Sequence, residues 1–163
     1  GQNWWVDDVT VRRLVDAEPV VTMAPRTFAD PLDDWTIVYS HDANLSFTTT
    51  NADLHDNDSS RATRSTTSSA NIIWYRPGIT GYRMVIDHWV SETVTNPTFA
   101  YSVDGSSWGA IAGAPLNLGG ASWLRYEYRW IGLPAGTNYI RITLNGTAGQ
   151  IWAQQLSRAE FYY

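Results

Sequence analysis

Residues 98–108 read TFAYSVDGSSW. Between Thr98 and Val103 every second side chain is Phe, Tyr or Val, and Thr98, Ala100 and Ser102 fill the alternate positions. That period of two belongs to a strand with one buried face. Asp104-Gly105 then supplies a tight turn, and Trp108 follows as an aromatic plug. The same reading extends outward. Ile140, Ile142 and Leu144 form a core phase against Tyr139, Arg141 and Thr143. Further strand-like runs lie at 6–14, 35–40, 45–50, 72–76, 82–90, 123–131 and 156–162. Between them sit Pro77-Gly78, Asn96-Pro97, Gly119-Gly120, Pro134-Ala135-Gly136 and Asn145-Gly146. Helical periodicity is nearly absent. The expected fold class is therefore all-β, an antiparallel β-sandwich or jelly roll.

Composition agrees with one globular domain: 163 residues, 44% hydrophobic, 13% aromatic and 17% charged, with 9 Trp. The net charge of -5 argues against nucleic acid, whose phosphates call for a basic face. The absence of Cys excludes thiol chemistry and zinc-thiolate sites. No apolar run approaches the roughly 20 residues that span a bilayer, so no membrane partner is expected. The first residues, GQNWW, lack signal-peptide character, which suggests a module excised from a longer protein. Residues 1–15 read as an N-terminal strand or the tail of a preceding module, 16–27 as a linker and 28–163 as the sandwich. Residues 51–71 read as a long polar loop carrying Asp53, Asp56, Asp58, Arg61 and Arg64, ordered for function or by a metal.

Several phrases are more specific. FADPLDDWTIVYSHDANLSF (28–47), DSSRATRS (58–65), IIWYRPGI (72–79), YSVDGSSW (101–108), GGASWLRYEY (119–128), LPAGTNYIRITL (133–144) and IWAQQLSRAEF (151–161) follow one another in order. Together they resemble discoidin-like carbohydrate-binding modules of secreted bacterial polysaccharide-degrading enzymes. The resemblance implies a discoidin-like sandwich, located extracellularly, that binds polysaccharide without catalysis and serves a catalytic domain in the same chain. It also implies a structural calcium ion where first and last strands meet, with Asp30, Asp33, Asp34 and Glu160 as candidate oxygen ligands. The stretch WWVDDVTVRRL (4–14) resembles the last strand of another β-sandwich module.

A sugar ring is held by a flat aromatic face with polar groups at its rim, so the outward aromatic rings matter most. In 82–90 the better core phase is Met84, Ile86 and Val90, carrying His88 with it and turning Arg83, Val85, Asp87 and Trp89 outward. In 72–76, Ile73 and Tyr75 fit a core phase, which turns Trp74 and Arg76 outward. Joined by a short Pro-Gly turn, these strands would pair as a hairpin and gather Trp74, Arg76, Arg83, Asp87 and Trp89 on one binding face. Trp130 is a further candidate. Trp35, Trp108, Trp123 and Trp152 are expected in core or loop-plugging roles, and Trp4 and Trp5 in docking the N-terminal segment. All eleven basic residues are Arg. Arg76 and Arg83 beside two Trp would suit an acidic glycan such as xanthan, since the guanidinium fork bonds carboxylates; the alternative is a compositional bias. Two other function classes remain: an interdomain packing module using the same aromatics, and a small catalytic sandwich. Against the latter, the four Glu (18, 92, 127, 160) and three His (41, 55, 88) form no recognisable catalytic or metal motif.

Overall fold

The computed structural model describes residues 26–146 and 149–163. The expectations for 1–15, for most of the 16–27 linker, and for Trp4 and Trp5 lie outside the described residues.

Among the described residues twelve strands form two antiparallel sheets: β1 (Thr27–Asp30), β2 (Ser40–His41), β3 (Leu45–Thr48), β4 (Arg61–Arg64), β5 (Ala70–Tyr75), β6 (Gly81–Trp89), β7 (Thr98–Ser102), β8 (Gly109–Ile111), β9 (Leu116–Gly119), β10 (Trp123–Ile131), β11 (Tyr139–Leu144) and β12 (Gln154–Tyr162). One sheet has seven strands, ordered β3-β4-β12-β6-β10-β9 with β1 also paired to β12; the other has five, ordered β2-β5-β11-β7-β8. The chain is thus a β-sandwich, as the alternation predicted. First and last strands pair directly, with Asp30 opposite Ala159 and Ala29 opposite Glu160.

Parity works where one phase is unambiguous. Ile140, Ile142 and Leu144 are fully buried, as are Met84 and Ile86. Their cross-strand partners follow them inward, because residues opposite each other in a ladder share a face. Val90, expected in the core, lies beyond the end of β6 and is half exposed. The turn after β7 forms as its sequence suggests. Asp104 Oδ1 accepts bonds from the backbone amides of Ser106 and Ser107, each at 2.8 Å, and these hold its carboxyl well below the usual carboxylate range. Trp108 is covered by the Arg141 guanidinium, 4.4 Å from the ring centroid.

Two expectations for β5 fail together. Ala70, Ile72 and Trp74 point inward and Ile73 and Tyr75 outward, the reverse of the phase read from sequence. The cause is pairing: Trp74 lies opposite Ile140 and Ile72 opposite Ile142 on β11, whose phase is fixed. Nor do β5 and β6 form a hairpin. β5 pairs with β2 and β11, β6 with β10 and β12, so the Pro77-Gly78 turn carries the chain from one sheet to the other. The segment 51–71 contains a strand, β4, preceded by a 3-10 turn at Ala52–His55.

Candidate functional site

The predicted binding face does not exist. Trp74 has 0% of its surface exposed and its indole Nε1 donates to Asp30 Oδ2 at 2.7 Å, so it cannot act as a ligand platform. Arg76 lies over Phe28, 4.0 Å from the ring centroid. Arg83 and Asp87 do point outward from β6 as predicted, but both are engaged. Arg83 bonds Glu127 at 2.6 Å and Glu160 at 3.4 Å, and these carboxylates raise its already high pKa despite partial burial. Asp87 is fully buried beneath the 51–58 segment. Trp130 packs inward against the core opposite Tyr82.

Three of the four predicted calcium ligands are likewise engaged by protein partners. Asp30 Oδ1 caps the Leu32 amide at 2.7 Å and Oδ2 receives the Trp74 indole. Asp34 bonds the backbone and hydroxyl of Thr36, and Glu160 is held by Arg83 and Arg158. Asp33 is exposed. Among the described residues no three His, Asp or Glu side chains come together as metal ligands.

Of the predicted ligand residues, Trp130 lines a shallow recess with Tyr82, Phe99 and Tyr128, and Trp89 lines a larger pocket with two other indole rings. It meets Trp123 and Trp152 edge-on, with centroids at 5.4 and 5.8 Å, and Trp123 and Trp152 are 5.8 Å apart. These three rings, with Leu54, His55 and a rim of Thr48, Thr50, Asn51 and Gln155, line a cavity of about 260 Å³. Because the rings touch one another, no sugar can slip between them. Trp152 is 39% exposed, Trp89 packs beside it, and Trp123, at 5%, forms the pocket floor. Beside it a more open cleft of about 390 Å³ is lined by Asp53, Asp56, Arg125 and the Gly119–Ser122 backbone, sharing Leu54 and Trp123 with the first. Gly120 permits this wall: its φ is +126°, and a Cβ there would lie 1.9 Å from the Trp123 carbonyl oxygen.

The pocket depends on how the polar 51–58 segment is pinned to the outer face of the seven-stranded sheet. His55, 1% exposed, bonds Asp87 Oδ2 through Nδ1 at 2.6 Å and its ring lies 4.4 Å from that of Trp123. With Asp87 ionised, Nδ1 carries the proton and donates. Arg125 bridges the same carboxylate, Nε to Oδ1 at 3.4 Å, and Asp56 Oδ2 at 2.8 Å, which lowers the pKa of Asp56. Arg61 is fully buried and donates to the carbonyls of Thr50 and Asp58 and, through Nε at 2.8 Å, to Gln155 Oε1. Gln155 Nε2 in turn donates to the Trp152 carbonyl at 3.1 Å. One buried guanidinium thereby ties the loop to the turn that carries Trp152. Burial lowers its pKa and raises that of neighbouring Asp58, the expected directions for desolvated charges.

Sequence reasoning missed His55, Trp123 and Trp152 as pocket residues. Trp152 sits in a 3-10 turn, Ile151–Ala153, where no alternation reports its direction. His55 looked isolated because Asp87 is 32 residues away.

No family model and no curated protein matches the sequence. Among solved structures, the K2 cleaved adhesin domain of Lys-gingipain matches with a TM-score of 0.49 at 12% identity, covering 83% of this chain and 97% of that one. The K1 cleaved adhesin domain of Lys-gingipain from Porphyromonas gingivalis W83 matches with a TM-score of 0.50 at 11% identity and the same coverage. At this identity the likeness to the K1 domain is one of fold, the β-sandwich.

Proposed function

We propose that this sandwich is a non-catalytic glycan-binding module that holds an attached polysaccharide-degrading enzyme near its substrate outside the cell. The observation that carries the reading is the Trp152 ring, exposed above a buried Trp123 floor and rimmed by Thr48, Thr50 and Asn51. An indole face matches the C–H side of a pyranose, and hydroxyl and amide groups at its edge match the sugar hydroxyls. The carboxylates nearest the rings are committed to structure, Asp87 by His55 and Arg125 and Asp56 by Arg125, which favours binding over acid-base chemistry. The K1 domain, an adhesin domain, supplies the fold and not the ligand.

Affinity electrophoresis through gels containing β-glucan, xylan, mannan, pectin or xanthan tests the proposal. Retardation by at least one of them, abolished by Trp152→Ala in a protein of unchanged circular dichroism, is the expected result. Free migration through every gel would sink it.

A second reading, packing on a neighbouring domain, is favoured by Tyr39, Tyr75 and Tyr139 on the five-stranded sheet. Their rings are 4.8 to 6.2 Å apart, with Tyr39 62% exposed. Self-association of the isolated domain, relieved by Tyr39→Ser, is its signature.

A further inference from the structure

One buried side chain of the Trp152 pocket is only half satisfied by the protein. We propose that His55 Nε2 is a ligand-contacting hydrogen-bond acceptor in this pocket, receiving the proton of a sugar hydroxyl when the ring lies against Trp152, and that Asp87 is the positioning residue that keeps this nitrogen bare. This deepens the glycan-binding reading above and rests on it.

A buried imidazole is ordinarily bonded through both ring nitrogens. His55, at 1% exposed, is bonded through one. Nδ1 lies 2.6 Å from Asp87 Oδ2, and because a carboxylate can only accept, the single hydrogen of the neutral ring sits on Nδ1. Nε2 is left as a lone pair, and no described residue donates to it. It is nevertheless not one of the enclosed polar atoms without a partner, a set that includes Asp87 Oδ1 and Gln154 Oε1. The little accessible surface that His55 has therefore includes Nε2. His55 lines the pocket and Asp87 does not, so the cavity meets the ring edge turned away from Asp87, which is the edge that carries Nε2. Trp123, with its ring 4.4 Å away, packs on the imidazole and holds it in this orientation.

The other polar side chains of the pocket make a weaker demand. The hydroxyls of Thr48 and Thr50 bond each other at 3.0 Å and can still turn to donate or accept, and the Asn51 amide can do both. Gln155 is spent on Arg61 and on the Trp152 carbonyl. Nε2 can only accept. It therefore favours a sugar that presents a hydroxyl at that point and disfavours one that presents an ether, a deoxy carbon or a carboxylate, none of which supplies a proton.

Long-range proton–nitrogen correlation spectra of the full chain, recorded at about pH 7.5 where ordinary imidazoles are neutral, read the position of the hydrogen directly. The protein has three His, and the signal lost in His55→Phe identifies this one. Free His55 should show a protonated Nδ1 and a bare Nε2. Hexasaccharides of β-linked glucose, xylose and mannose and of galacturonate are then titrated in. Every oligomer whose binding depends on Trp152 should move the Nε2 resonance toward the protonated position and leave Nδ1 in place. Its calorimetric affinity should fall about five- to tenfold in His55→Phe, which keeps a ring on Trp123 and removes the acceptor. A free protein with the hydrogen on Nε2 overturns the inference whether or not a glycan binds, and this readout needs no variant that folds. Trp152-dependent binding that leaves Nε2 unmoved, or that survives His55→Phe undiminished, also overturns it while the glycan-binding reading stands. If none of the four oligomers binds, both fall.

Discussion

The Trp74 indole donates a 2.7 Å hydrogen bond to Asp30 Oδ2 across the interior of the sandwich, joining β5 of one sheet to β1 of the other. A residue expected to stack on sugar and a residue expected to ligate calcium are thus bonded to each other in the core. Burial raises the Asp30 pKa, while the bonds from Trp74 and the Leu32 amide oppose that rise. The pair is a polar bridge in an apolar interior, where a missing partner is costly. Trp74→Phe removes the only donor on Oδ2 among the described residues and should destabilise the fold by about 1–3 kcal/mol. Glycan retardation of the folded fraction should not change. Urea melts paired with affinity gels check both halves, and lost binding at unchanged stability would return Trp74 to the ligand site.

Loop anchoring makes the next prediction. Arg61 is a fully buried cation whose partners are the Thr50 and Asp58 carbonyls and Gln155. Arg61→Met keeps the volume and removes the donors, leaving three acceptors to seek water. A loss of roughly 2–4 kcal/mol is expected, together with faster hydrogen exchange and proteolysis confined to 50–58. Binding should weaken as well, because Gln155 no longer holds Trp152. Uniform exchange over the whole domain would show that Arg61 supports the sandwich and not the pocket.

These two residues also mark what sequence reading can reach. Strand β11 was legible because one phase was apolar and the other polar or charged at Arg141 and Thr143, and β6 because Arg83 and Asp87 marked its outer phase against Met84 and Ile86. β5 was not. Ile72 and Trp74 compete with Ile73 and Tyr75, and the decision came from β11, paired residue by residue more than sixty positions later. The short Pro77-Gly78 connection resembled a hairpin because local chemistry specifies a turn and not which sheet receives the chain. The pocket was the least legible part. His55, Asp87, Arg125 and Trp152 come from four separate segments, and their relation exists only after β6, β10 and β12 are side by side.

His88 gives a prediction in pH. The ring was assigned to a core phase and is 8% exposed, next to Gln154, with burial pushing its pKa down from 6.5 to about 4 despite the opposing charge of Asp87. Gln154 Nε2 is a donor, so the imidazole nitrogen it approaches at 3.3 Å accepts and the ring is neutral. Between these two pH values the unfolded chain binds a proton that the folded chain refuses. Stability contributed by the neutral ring is therefore complete above about pH 6.5 and is lost as pH falls toward about 4, by on the order of 3 kcal/mol. Thermal melts between those limits should show a decline that His88→Gln flattens. An equal decline in both proteins would assign the acid sensitivity to carboxylates.

Two of the three pocket tryptophans should separate stability from binding. Trp123 is 5% exposed, lines both the pocket and the cleft beside it and packs on His55, so Trp123→Ala opens a cavity and should cost about 3–5 kcal/mol. Trp152 is 39% exposed and makes only edge and tilted contacts with Trp89 and Trp123. Its truncation removes mainly solvent-facing surface, so Trp152→Ala should cost less than about 2 kcal/mol while weakening glycan binding at least about tenfold. Trp152→Phe, which keeps a smaller flat face, should recover part of that affinity. Chemical denaturation and affinity gels on the three variants read the two quantities independently. If Trp152→Ala proves as destabilising as Trp123→Ala and leaves retardation intact, Trp152 is part of the packing and the ligand face lies elsewhere.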